Sequence, residues 1–167
     1  STSLICLEDD IVVSKYFLSY LNEALNIYSK NKDIWHINSY SYPINFKTKY
    51  DCFFSKSMMA WGFATWKDRW TKFIEDPLAR DPYFLKEKFD KKMIRELDFD
   101  LNRSINWFQV EDNASGKLNN TWAIFWYCYI FLNNGLCLSP KVSLSKNIGH
   151  DGSGVHTVLN NNFLNEN

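Results

Sequence analysis

Three consecutive acids stand near the start of this chain, directly after a short apolar run. The run is Leu4–Leu7, and the acids are Glu8, Asp9 and Asp10. Carboxylates placed side by side repel one another, and a divalent cation bound through oxygen ligands would relieve that repulsion. The alternative is a solvated acidic turn ahead of a helix, whose N-terminus favours carboxylates. The triplet alone leaves a metal site and a structural turn both open.

A second segment with chemical potential is the glycine-rich loop at residues 147–156 (NIGHDGSGVH). It contains His150, Asp151 and His156 among three glycines. Glycine lets a backbone approach a ligand closely, and His and Asp bind metal or phosphate or transfer protons. A surface loop without a ligand is the alternative. Two of the three histidines in the chain fall here, which favours function, whereas His36 lies in a strand pattern and is predicted to be a core or sheet histidine.

A third segment, residues 58–66 (MMAWGFATW), combines aromatic side chains with a glycine. Trp61 beside Gly62 suits stacking on a sugar ring, because the C–H faces of sugars are apolar and aromatic rings offer a large apolar face. The alternative is a corner between a strand and a helix that packs in the core. Trp66 and Trp70 follow the apolar stripe of the next helix and are predicted to be core residues.

The elements that must position these segments form an α/β pattern. Strands are predicted at Leu4–Leu7, 33–39 and 50–54, with shorter ones around Cys137 and at 142–144. Helices are predicted at about 15–29, 64–75, 81–98 and 122–134, and 101–108 is compatible with another. The order strand, helix, strand predicts a βαβ unit and a mainly parallel sheet with flanking helices. Ligands of such sheets bind beyond the carboxyl ends of the strands, where the acids follow Leu7.

Composition narrows the class of protein. The 167 residues fit one domain, and 19 basic and 19 acidic residues give no net charge, which argues against a nucleic-acid partner. No run of 18 apolar residues is present, so no membrane span is predicted. The four cysteines include no CxxC pair, so we expect reduced, mostly buried thiols rather than a zinc cluster. They are Cys6, Cys52, Cys128 and Cys137.

Taken in order, the three segments resemble the later half of a nucleotide-sugar glycosyltransferase with the A-type fold. The similarity is to N-acetylglucosaminyltransferase I and to related bacterial sugar transferases. Residues 7–25 (LEDDIVVSKYFLSYLNEAL) resemble the metal-binding strand end and the following helix, and residues 58–70 (MMAWGFATWKDRW) resemble the acceptor-side segment. Residues 120–156 resemble the later helix, the strands after it and the loop that closes over the donor.

The resemblance implies a role for each candidate residue. Asp10 matches the direct ligand of Mn²⁺ or Mg²⁺, and Glu8 and Asp9 match acids that contact the ribose of the donor or metal-bound water. In the last loop, His150 is expected to bind the donor phosphates and His156 the metal. A metal ion would stabilise the charge that develops on the nucleoside diphosphate leaving group.

The acceptor side and the catalytic base are less completely matched. The residues implied on the acceptor side are Trp61, Gly62 and Trp122. An inverting transfer needs a carboxylate to take the acceptor proton, and the related enzyme has one just after the tryptophan matched by Trp122. Here Ala123 and Ile124 follow that tryptophan. Asp151 is therefore the candidate base, with Asp112 as the second choice.

These expectations amount to a metal-dependent transferase acting on a nucleotide-sugar donor and a glycan or lipid-linked acceptor. Only seven residues precede the acids, so we expect a single domain at 1–167 that lacks the nucleotide-binding half and is inactive alone. The strand Leu4–Leu7 would then be an exposed sheet edge able to self-associate. A cytoplasmic bacterial location is expected, with membrane association open to the full-length protein.

Two other interpretations of the same residues stay open. One is a non-catalytic carbohydrate- or protein-binding module that retains the fold, which the missing base favours. The other is a different metal-dependent phosphoryl enzyme, using Glu8, Asp9 and Asp10 together with the two histidines of the last loop.

Overall fold

Seven strands and six helices make up the described part of the chain, which covers residues 2–43, 47–99, 106–117 and 121–149 of a computed structural model. In chain order they are β1 (Ser3–Cys6), β2 (Ile11–Val13), α1 (Phe17–Ile27), β3 (Ile34–Asn38), β4 (Cys52–Ser55), β5 (Phe63–Trp66), α2 (Lys67–Glu75), α3 (Pro82–Lys88), α4 (Lys91–Leu97), α5 (Trp107–Ala114), α6 (Trp122–Leu132), β6 (Leu136–Pro140) and β7 (Ser145–Asn147). Among these helices, none has the length and apolar character needed to cross a membrane.

The main sheet has five strands in the order β1-β5-β3-β6-β4. The α/β class is confirmed, but the prediction of a mainly parallel sheet is wrong, because only β3 and β6 pair in parallel. The strand–helix–strand pattern did identify two strands that run in the same direction, β1 and β3. They do not pair, because β5 lies between them and is antiparallel to both. The sequence pattern had assigned most of β5 to the start of the following helix.

The directions of the strands bring three carboxyl ends to the same edge of the sheet. Since β1 and β3 both oppose β5, and β6 is parallel to β3, the carboxyl ends of β1, β3 and β6 point the same way. The acids follow β1, residues 39–42 follow β3, and residues 141–144 follow β6. This shared edge is where ligands of open α/β sheets bind. The strand order also places β1 at one end of the sheet. Self-association through this edge strand stays a prediction.

Two hydrophobic layers cover the two faces of the sheet. On one face lies α1, whose apolar stripe of Phe17, Leu21, Ala24 and Leu25 is buried at helical spacing. On the other face α6 is apolar on all sides and occupies the centre of a larger aromatic core. All four cysteines are free; Cys128 and Cys137 are buried and the other two are half-buried. Burial raises the pKa of the two buried thiols, which makes them poor nucleophiles.

The helix predicted over residues 81–98 is two helices, α3 and α4. Each has an aspartate at its N-cap: the Asp81 carboxylate accepts from the Tyr83 N–H at 2.8 Å, and that of Asp90 accepts from the Met93 N–H at 2.8 Å. Such caps satisfy backbone donors that a helix leaves without partners in its first turn. The second aspartate therefore starts a new helix inside a continuous apolar pattern.

His36 is a core histidine, as predicted, and is fully buried between the sheet and α6. The indole N–H of Trp126 donates to its Nδ1 at 3.1 Å, so the ring proton is on Nε2, which donates to the carbonyl of Met59 at 3.1 Å. Burial lowers the pKa of His36 from 6.5 to about 3. The residue is therefore neutral in the folded protein at neutral pH.

We expect His36 to make the fold sensitive to acid. Below pH 6.5 the histidine is protonated in the unfolded chain, but in the folded protein it stays neutral down to about pH 3. Proton binding therefore favours the unfolded chain, and the stabilisation present above pH 6.5 is lost as the pH falls. The free energy of unfolding should lose ~1.4 kcal/mol per pH unit from this residue in that window. Urea unfolding at several pH values checks this, and His36→Gln should show the shallower slope. Equal slopes in the two proteins would contradict the assignment.

A buried arginine fastens α1 to the junction of β5 and α2. The Arg69 guanidinium stacks on the Trp66 ring at 4.2 Å, donates to the carbonyl of Asn31 at 2.8 Å and pairs with Asp68 at 2.8 Å. The Trp66 indole donates to the carbonyl of Leu25 at 3.1 Å. Arg69 and Trp66 thereby donate to carbonyl groups in the last turn of α1 and in the residues that follow the helix. A helix leaves its last carbonyl groups without backbone donors.

Replacing Arg69 by lysine should destabilise the fold although the charge is kept. An ammonium cannot reproduce the planar fork of donors or the stacking on Trp66. We expect a loss of about 2–4 kcal/mol in the free energy of unfolding, since buried hydrogen bonds to a charged group are broken. The exposed Arg80 provides the control, and Arg80→Lys should change stability by less than about 0.5 kcal/mol. Similar losses in both variants, measured by denaturant unfolding, would argue against the fastening role.

Candidate functional site

The three acids form the turn that connects β1 to β2. The N–H of Ile11 donates to the carbonyl of Glu8 at 3.3 Å and closes this turn. Glu8 and Asp10 are half-buried, whereas Asp9 is exposed. Burial raises the pKa of Glu8, and the charges of Asp10 and Asp9 raise it further. The repulsion expected between neighbouring carboxylates is therefore present in the folded turn.

A short second sheet brings the start of the glycine-rich loop to this turn. Strands β2 and β7 pair antiparallel, with Ile11 opposite Asn147 and Val13 opposite Ser145. The ladder continues beyond the strands, since the N–H of Ile148 donates to the carbonyl of Asp10 at 2.9 Å. Two of the three segments selected from the sequence thus meet, although 137 residues separate Asp10 from Asn147.

The Asp10 carboxylate has one satisfied oxygen and one that is not. Its Oδ2 accepts from the side-chain amide of Asn147 at 3.1 Å. Asn147 is oriented for this by its own Oδ1, which accepts from the Gly149 N–H at 2.7 Å. The other oxygen, Oδ1 of Asp10, is buried without a hydrogen-bond partner in the described part of the chain. A buried carboxylate oxygen left without a partner is costly, and a cation would satisfy it.

Gly149 is the residue that allows this arrangement. A Cβ at this position would lie 2.6 Å from Oδ2 of Asp10, closer than carbon and oxygen can approach. Any side chain here would therefore displace the carboxylate. Asp10 supplies carboxylate oxygens, the ligand type that hard divalent cations prefer. Within the ranges that the structure describes, no group of three or more His, Cys, Asp or Glu side chains could hold a metal ion.

Three predicted site residues lie outside the described residues. They are His150, Asp151 and His156. Their roles as donor-binding residue, candidate base and metal ligand therefore stay predictions.

Buried serines join the strand ends at this edge. Ser39, directly after β3, has its Oγ 2.8 Å from Oγ of Ser145 in β7. The Ser145 hydroxyl donates to the carbonyl of Trp61 at 2.6 Å, and the N–H of Ser39 donates to the carbonyl of Gly62 at 3.0 Å. This group of contacts, the serine junction, holds the aromatic segment against the strand that carries Asn147.

A cleft of about 270 Å³ lies beside the serine junction, with Trp61 in its wall. Its lining residues are Tyr40, Tyr42, Met58, Met59, Ala60, Trp61, Asn106, Gln109, Ala123, Ile124 and Tyr127. The Trp61 ring packs edge-on against Tyr40, with the ring centres 4.6 Å apart. The wall combines aromatic rings with two side-chain amides, a lining able to stack on a sugar and to bond its hydroxyls.

The structure gives Gly62 a packing role. Its φ of +81° is a left-handed conformation, and a Cβ would lie 2.7 Å from Ser39 Oγ and 2.9 Å from the Phe17 ring. Gly62 itself is buried, so Trp61 is the member of this pair that reaches the cleft. The turn into β5 therefore depends on glycine for two reasons, backbone conformation and lack of space.

Trp122 and Asp112 lie apart from the cleft wall. Trp122 is half-buried in the first turn of α6 and packs against Phe63 and Trp70 at ring-centre distances of 5.6 and 5.9 Å. Asp112 in α5 is half-buried and pairs with Lys117 at 3.6 Å. The structure therefore brings together Asp10 and the start of the glycine-rich loop, and Trp61 with the cleft, but it does not bring Asp112 to that wall.

Several residues of this site were not predicted. Asn147 falls in the loop selected from the sequence but was not singled out, and the amides of Asn106 and Gln109 were missed. The segment Ser39-Tyr40-Ser41-Tyr42 was also missed, although Ser39 ends the strand predicted at 33–39 and the other three residues directly follow it. It is a polar run at the carboxyl end of a strand, the same feature that selected the acids.

Comparison of the sequence with protein-family models and with curated proteins finds no match. Function must therefore be inferred from the geometry of the acidic turn, the serine junction and the cleft.

The two left-handed glycines that the structure describes allow a matched test of the serine junction. Gly62→Ala should combine a backbone cost of ~1–2 kcal/mol with a steric cost of ~1–3 kcal/mol against Ser39 and Phe17. Gly116 has a φ of +76°, but nothing lies within 4 Å of the place that a Cβ would occupy, so Gly116→Ala should show the backbone cost alone. Denaturant unfolding measures the difference. Equal destabilisation would mean that the close contact with Ser39 is relaxed at little cost.

Proposed function

We propose that this chain supplies the metal- and acceptor-binding part of a glycosyltransferase that moves a sugar from a nucleotide-sugar donor to a hydroxyl acceptor. The observation that carries the proposal is the Asp10 carboxylate, with a buried oxygen that lacks a partner among the described residues, next to Gly149 at the shared edge of the sheet. The resemblance of the three segments to A-type glycosyltransferases supports the same assignment, as does the mixed α/β architecture.

In this proposal the residues of the chain act mainly by binding and orientation. Asp10 is the protein ligand of Mn²⁺ or Mg²⁺, which when bound neutralises the charge of the departing nucleoside diphosphate. Asn147 holds the carboxylate in place through its amide, and Gly149 leaves room for it. Glu8 and Asp9, in the same turn, contact the ribose of the donor or metal-bound water, as the resemblance implies. Trp61 offers its ring to the acceptor, in a cleft that the serine junction fixes relative to β7.

The second candidate is a non-catalytic carbohydrate-binding module. The observation that favours it is that none of the described residues lining the cleft has a carboxylate. The amides of Asn106 and Gln109 bond hydroxyl groups but cannot take a proton at neutral pH. Under the transferase proposal the base comes from elsewhere, and Asp151 is our candidate. The binding module needs no base, no metal and no nucleotide.

Calorimetric titration of Mn²⁺, with and without a nucleoside diphosphate, tests the proposal. For the transferase we expect each ligand to strengthen binding of the other by about tenfold, since both contact the same centre. Asp10→Asn keeps the shape of the side chain but removes its charge, so it should weaken Mn²⁺ binding by at least about tenfold and abolish the coupling. UDP, GDP, CDP and dTDP are titrated separately, because the base is unknown.

The matched control is Asp33→Asn, an exposed aspartate just before β3 and therefore at the opposite edge of the sheet. It should leave both affinities unchanged, and both variants should unfold at the temperature of the wild type or close to it. Unchanged Mn²⁺ affinity in Asp10→Asn would remove the metal assignment. Metal binding without any coupling to a diphosphate would favour another metal-dependent phosphoryl enzyme, and glycan binding without metal would favour the binding module.

A further inference from the structure

Four aromatic rings form a continuous series that starts in the cleft and leads outward. Trp61 contacts Tyr40, Tyr40 contacts Tyr42, and Tyr42 contacts Phe99, all edge-on. The successive ring centres are 4.6, 5.5 and 6.1 Å apart. We call these four residues the aromatic track. The first three line the cleft, and Phe99, which is 41% exposed, lies at the outer end.

Phe99 occupies this position against its backbone preference. It has a φ of +53° just after α4, at the helix end where glycine is the usual residue. Of the described non-glycine residues only Asn134 shares this conformation, and asparagine tolerates it far better than phenylalanine does. Core packing accounts for the choice only in part, because Phe99 stays 41% exposed although its ring contacts Tyr42. Backbone strain retained for an exposed ring suggests that the ring contacts a ligand.

The lining of the cleft identifies the class of ligand. Apart from apolar and aromatic side chains it offers the amides of Asn106 and Gln109, and no described lining residue is charged. A phosphorylated or strongly charged ligand would meet no opposite charge there. A neutral sugar fits both features, because its C–H faces pack on rings and its hydroxyls bond to amides.

The length of the track adds a further property. Each step between rings is similar to the length of one sugar residue, and the track has three steps. We propose that the aromatic track binds a neutral oligosaccharide longer than a disaccharide, with one end at Trp61 and the remaining residues extending toward Phe99. The identification of the Trp61 end as the acceptor end rests on the proposed function; the binding of an extended neutral glycan does not.

Binding of oligosaccharide ladders tests this inference. The probes are neutral ladders of glucose, galactose, mannose and N-acetylglucosamine, each from monosaccharide to pentasaccharide, titrated in buffer without metal or nucleotide. For at least one ladder the affinity should rise about tenfold between the disaccharide and the tetrasaccharide. A gain of this size corresponds to one further aromatic contact. Monosaccharides should bind weakly and independently of Phe99.

The informative variant is Phe99→Gly. Glycine suits the left-handed backbone, so the variant should unfold at the same temperature as the wild type or higher, yet lose the gain in affinity with length. The control is Phe108→Ala, which removes a ring that is 40% exposed on α5 and does not belong to the track. It should leave every affinity unchanged.

Three results would overturn the inference. They are the absence of length dependence in all four ladders, equal losses in Phe99→Gly and Phe108→Ala, and equally tight binding of a neutral Ser-Gly peptide of matching length. Because the measurement uses neither metal nor nucleotide, it separates the two proposals. Length-dependent glycan binding without coupling of Mn²⁺ to a diphosphate would retain the track and reject sugar transfer.

Discussion

The contacts of two buried serine hydroxyls hold the candidate site together. Ser39 and Ser145 lie 2.8 Å apart at the point where the end of β3, the turn into β5 and strand β7 converge. Ser145 donates to the carbonyl of Trp61, and the carbonyl of Ser39 accepts from the N–H of Leu144 at 2.8 Å. Buried polar groups are costly unless they are all satisfied, so this junction favours one arrangement of the three segments.

The junction also sets the relation between the acidic turn and the cleft. Ser145 and Asn147 are two residues apart in β7, so their side chains point to the same face and their Cα atoms are about 7 Å apart. Ser145 holds Trp61 on one side, and Asn147 holds Asp10 on the other. The acidic turn and the segment that carries Trp61 are therefore both tied to the same strand, β7.

The sequence predicted the elements better than their arrangement. The stripe of α1, the buried α6 and the acids after β1 follow from spacing that each segment displays on its own. The insertion of β5 between β1 and β3 does not, because strand order depends on contacts between distant segments, and Phe63–Trp66 is too short to show a period of two. The pairing of Asp10 with Asn147 is equally non-local. The cleft amides were missed because asparagine and glutamine are common on any helix surface, and only the fold turns them toward Trp61.

Asp10, held by Asn147 beside Gly149, is proposed to bind a divalent cation at the meeting point of β2 and β7. Paramagnetic broadening of backbone amide signals by Mn²⁺, recorded by NMR on the ¹⁵N-labelled chain, tests it most directly. Small amounts of Mn²⁺ should broaden two separate groups of signals first, residues 8–11 and residues 147–149, while signals from α3 and α4 stay sharp. Broadening confined to exposed carboxylates elsewhere, or broadening of residues 8–11 without residues 147–149, would contradict the account.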